Sequence, residues 1–141
     1  MKRLIGSVGA ATAALGLLTA MPLVSAHHST TMFDHAKTMS INGKVVELRW
    51  VNPHVSLTVK GVVGDGKAEE EWVMEMTSPG NLVRVGGWNR TVVKPGDDVT
   101  VEFSPLRDAN LHGGALKKVT VLATGKFYTA NLRNQEMPDL E

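Results

Sequence analysis

From Ile41 onward the chain is built of short runs in which apolar and polar residues alternate, separated by segments rich in glycine, proline and asparagine. A period of two puts successive side chains on opposite faces of a strand and cannot line one face of a helix. Residues 41–50 form the first such run. Asn52-Pro53 interrupts it, since proline removes a ladder donor and keeps its predecessor extended. Residues 54–63 form the second, with Val55, Leu57 and Val59 on one face and His54, Ser56, Thr58 and Lys60 on the other. Gly64-Asp65-Gly66 is a hairpin turn. The third run is 67–77, where Trp72, Met74 and Met76 oppose Glu69, Glu71, Val73 and Glu75.

The pattern then changes type once. Ser78 suits a helix N-cap, Pro79 suits the first helical position, and Gly86-Gly87 stops the helix that 81–85 completes. Lys94-Pro95-Gly96-Asp97 is a β-turn, and Val99, Val101 and Phe103 mark a fourth strand. Residues 105–114 read as a polar loop, 115–123 as a fifth strand, and 125–141 as a polar, frayed tail. The expected class is therefore all-β with one short helix. The element order predicts a five-stranded, OB-like antiparallel barrel, with the helix between strands three and four. A plain, sandwich-like antiparallel sheet is the competing arrangement, because periodicity does not reveal strand order.

The N-terminus divides the chain. Lys2 and Arg3 precede an uncharged stretch rich in Ala, Leu and Gly, and Val24-Ser25-Ala26 offers a cleavage site. This is the layout of a secretory signal peptide. A membrane anchor competes with it, since the stretch approaches spanning length. The expected divisions are a signal peptide at 1–26, an extended arm at 27–40, the barrel at 41–124 and the tail at 125–141. Removing 1–26 takes away two basic groups and leaves 13 basic against 14 acidic, a net charge of −1. Such a domain has no broad basic field, so nucleic acid is not an expected partner. It has no cysteine, so its stability in an oxidising compartment rests on its core alone.

Several motifs resemble those of a bacterial family of small exported proteins labelled only as a domain of unknown function. They are Ala26-His27-His28-Ser29, Phe33-Asp34, Gly43-Lys44-Val45-Val46, Trp50-Val51-Asn52-Pro53-His54, Trp72-Val73-Met74-Glu75 and Ser78-Pro79-Gly80-Asn81-Leu82, followed by Gly87-Trp88, Lys94-Pro95-Gly96-Asp97 and Arg107-Asp108 with Gly113-Gly114. The resemblance covers nearly all of the chain after Ala26. It implies export and a small β-rich fold, and no established activity. The chain departs from the pattern after Asp108, where Ala109-Asn110-Leu111-His112 stands in place of a glycine, so a role for His112 would be particular to this protein.

Cleavage after Ala26 makes His27 the first residue, and its amine and imidazole then chelate one metal ion together. A further imidazole completes the three-nitrogen histidine brace known for copper, a metal that favours such ligands. His27, His28, His54 and His112 are the candidate ligands, and copper is the one cofactor expected. The competing reading makes His27 and His28 a plain polar tail and His54 a hydrogen-bonded strand-end residue. Trp72, Met74 and Met76 read as core rather than as soft ligands. There is no Gly-x-Ser-x-Gly elbow and no Gly-rich phosphate loop. The expected function is a non-enzymatic periplasmic binding module, soluble after cleavage and not inserted in the membrane. The alternative is a structural protein that contacts another envelope protein and has no metal site.

Overall fold

Val55, Leu57, Val59, Met74 and Met76 are fully buried, so the faces read from the alternation are the faces that turn inward. The computed structural model describes residues 32–130. In chain order they form β1 (Met39–Arg49), β2 (Ser56–Val63), β3 (Glu70–Glu75), α1 (Pro79–Gly86), β4 (Asp98–Pro105), β5 (Gly113–Val121) and β6 (Phe127–Thr129). Among these residues no helix is long and apolar enough to cross a membrane. The signal segment at 1–26 and the start of the arm at 27–31 lie outside them.

Neighbouring strands run β3-β2-β1-β4-β5-β6, and β3 also pairs with β5. That extra seam closes five strands into a barrel, mostly β with one short helix as expected. One feature differs from the wholly antiparallel expectation. Val73 pairs with Gly113, Met74 with Gly114 and Glu75 with Ala115 in parallel. The strands are not consecutive, and α1 with β4 supplies the long connection that a parallel pair needs. β1 serves two neighbours: Met39–Lys44 pairs with β4, while Ile41–Arg49 pairs with β2 across a bulge between Val45 and Glu47. Bulges bend a strand and raise its twist, which a small barrel requires.

Gly43 and Gly61 face each other across β1 and β2. A Cβ on Gly43 would collide with the Lys60 carbonyl oxygen and lie 2.7 Å from Gly61 Cα. The Gly43-Lys44-Val45-Val46 motif thus owes its first residue to a close backbone approach. The other motifs have local causes too. Ser78 Oγ accepts from Asn81 N, and Gly87 ends α1 with φ of 65°. That left-handed geometry costs a residue with a Cβ about 1 kcal/mol. Trp88 then enters the core, with its Nε1 donating to Thr129 O at 2.9 Å.

Two segments are more ordered than their composition suggests. Within the tail, Phe127–Thr129 pairs with Lys118–Thr120 of β5, and Ala130 is fully buried. Three residues carry no readable period; the strand exists because Trp88 and β5 hold it. In the arm, Phe33 is 3% exposed and forms a bridge with Leu106. Arg107 N donates to Met32 O and Asp34 N to Pro105 O, so the arm is tied to the loop between β4 and β5.

Candidate functional site

The outer face of β2 and β3 carries the residues that alternate with the core. Val73 and Glu75 stand between the buried Trp72, Met74 and Met76. Beside them lies the loop from β1 to β2, in which the Asn52–Pro53 peptide bond is cis. Val55 N donates to Thr77 O and Met76 N to Val55 O, which carries the β2–β3 ladder past its formal ends. This ladder sets His54 beside Glu75. His54 Nδ1 lies 2.9 Å from Met76 O and 3.1 Å from Glu75 Oε1. Both oxygens accept and neither donates, so Nδ1 carries the hydrogen and the lone pair of the neutral ring is on Nε2. Imidazole is commonly oriented this way where it binds a metal.

His54 and Glu75 border an open cleft of about 300 Å³, with Arg49, Val51, Pro53 and Val73 on its other sides. The cleft has two half-exposed valines, one cation from β1 and one carboxylate held by an imidazole. Such a surface offers a few directed polar groups within one open cleft.

His112 is placed differently. Its ring stacks on Trp72, with centroids 4.9 Å apart and planes 17° apart, and its Nε2 lies 3.5 Å from Glu70 Oε2. Its carbonyl accepts from Val73 N, whereas His54 sits level with Met76. Val73 and Met76 are three residues apart, about 10 Å at the usual strand rise. The two rings also lean apart, toward Glu70 and toward Glu75. The structure therefore does not bring His54 and His112 to a common ion, because the parallel register of β3 and β5 offsets them. Among the described residues no group of three or more His, Asp or Glu side chains is arranged to hold a metal. His27 and His28 lie outside those residues. Asp34, in the arm, pairs with Lys37 at 3.3 Å.

Two features were not read from the sequence. One is the Glu75 carboxylate behind His54. Its signal was the i, i+2 alternation that points Glu75 outward, but which residue it meets depends on strand register. The other is the Trp72–His112 stack, which joins residues 40 positions apart and left no local trace. Neither curated proteins nor solved structures match the chain. Residues 16–115, well over half the length, match the model of a family of unknown function (DUF6152), and the chain belongs to that family.

Proposed function

We propose that the protein is a small exported, non-enzymatic binding module that takes up copper on the outer β2–β3 face. In this reading the signal segment is removed after Ala26. The amine and imidazole of His27 and the Nε2 of His54 are the three nitrogen ligands, with His28 beside them. The single observation that carries the reading is the anchoring of His54, whose Nδ1 is held by Met76 O and Glu75 at the border of an open cleft. A preset imidazole tautomer is what a copper ligand needs, and it rarely arises without a hydrogen-bond partner on the far nitrogen.

Titration of Cu(II) tests this. The protein beginning at His27 should bind one ion, and a version with one alanine before His27 should bind far more weakly. Glu75→Gln should weaken binding about tenfold, the usual cost of losing the group that orients a ligand. Equal, weak binding by the two N-terminal forms sinks the copper site. Mass spectrometry of the exported protein checks its premise, a mature terminus at His27. Val51 and Val73, 43% and 47% exposed in the same cleft, support a second reading. In that reading the face contacts another envelope protein, and copper binding is absent from both forms.

A further inference from the structure

The arm is held to the barrel by a packing unit of its own. Phe33, 3% exposed, packs with Ala115 and the half-buried Leu106 in a cluster separate from the main core. Leu116 belongs to the main core, so Ala115 beside it faces outward. Ala115 stands opposite Glu75 in the parallel β3–β5 register and shares its outer face. Phe33 therefore covers that face one strand away from the His54–Glu75 pair. Between Met32 and Thr38, Phe33 is the one buried residue, and Ala36, Lys37 and Thr38 are exposed. Asp34 N donates to Pro105 O and Arg107 N to Met32 O. Lys117 Nζ, from β5, reaches Lys37 O at 3.2 Å and Thr38 Oγ1 at 2.6 Å, both in exposed positions. The ion pair of Asp34 with Lys37 lies within the arm and does not tie it down. β1, which follows, is laddered to β4 over Met39–Lys44 and to β2 over Ile41–Arg49. Segments with little buried apolar surface and exposed hydrogen bonds open at less cost than the whole fold.

We propose that the arm is a strap that detaches while the barrel stays folded. Its release uncovers Ala115 and Leu106 and extends the outer face at Glu75 across β5. The face open to a binding partner thus has two sizes, set by whether Phe33 is docked. The exposed residues 36–38, between Phe33 and β1, take up the change of direction. The inference concerns what the arm covers and does not rest on copper.

Amide exchange and thiol labelling of the protein as the cell produces it test this, with a chelator present so that copper takes no part. The amides of Asp34 and Arg107 report on the strap. Those of Val59 and Val101, on strands paired at both edges, report on the barrel. The strap amides should exchange at least about tenfold faster than the barrel amides. Phe33→Ala should speed them about tenfold further, as expected on losing a buried phenylalanine ring, and leave Val59 and Val101 within about twofold. Lys117→Met, which removes the other tether, should act in the same direction. The chain has no cysteine, so one introduced thiol reports on its own site. Ala115→Cys should be alkylated by iodoacetamide at a rate that Phe33→Ala raises by the same factor. Val119→Cys, in the main core, should label only through unfolding and ignore Phe33→Ala. Strap amides as protected as Val101, or a Phe33→Ala effect shared by all four amides, overturns the proposal, because the arm would then open only with the barrel. A thiol at position 115 that stays unlabelled while Asp34 exchanges freely overturns it as well, since the arm would not be what covers the face.

Discussion

Gly43→Ala is expected to destabilise the protein by about 3 kcal/mol or more, the upper range for forcing extra volume into a packed site. The added methyl meets backbone on the neighbouring strand: the Lys60 carbonyl and, at 2.7 Å, the Gly61 Cα. No side chain can rotate away to make room, so β1 and β2 have to separate. Gly61→Ala should cost a similar amount, because its Cβ would meet the Asn42 carbonyl and the Gly43 Cα. The double variant should cost clearly less than the sum, since strands parted by the first methyl admit the second. Close, coupled sites of this kind are where additivity fails. Gly80→Ala is the control. It lies in α1 with open space at its Cβ, and alanine there should stabilise by about 0.5–1 kcal/mol. Urea unfolding of the four variants measures all of this. A loss below about 1 kcal/mol for Gly43→Ala would show that the strands do not approach so closely.

Trp88→Ala should cost about 4 kcal/mol, in the range for emptying a buried tryptophan site. Trp88 is 1% exposed, belongs to the main core and packs against Tyr128 with ring centroids 5.5 Å apart. Its Nε1–H reaches Thr129 O at 2.9 Å, so the same side chain fills the core and ties β6 down. Amide exchange at Tyr128 and Ala130 should therefore accelerate more than exchange in β1 or β4. Trp88→Phe keeps a ring and loses the bond to Thr129, and should cost about 1–2 kcal/mol. Uniform acceleration across all strands would mean that Trp88 supports the barrel without specifically holding β6.

The candidate site was legible only in part. His54 stood out as a single imidazole after Asn52-Pro53, at the start of a clean alternation. Its partner Glu75 lies 21 positions away, and only the β2–β3 register joins them. His112 looked equally eligible for the same site on loop position alone. The parallel β3–β5 seam sets it beside Trp72 instead, and strand direction leaves no mark in a period of two.

What the sequence by itself determined was local: which residues face inward along β2 and β3, where α1 begins and ends, and where turns fall. Each follows from side-chain period, capping chemistry or backbone restriction within a few residues. The tertiary structure decided what depends on distant residues meeting. It closed the barrel by pairing β3 with β5, kept a methyl out at the Gly43–Gly61 crossing, and made a strand of Phe127–Thr129. It also gave His54 and His112 different partners. The physical reason is the same throughout. Packing and register are properties of pairs of segments, and a one-dimensional pattern records only which face of each segment is apolar.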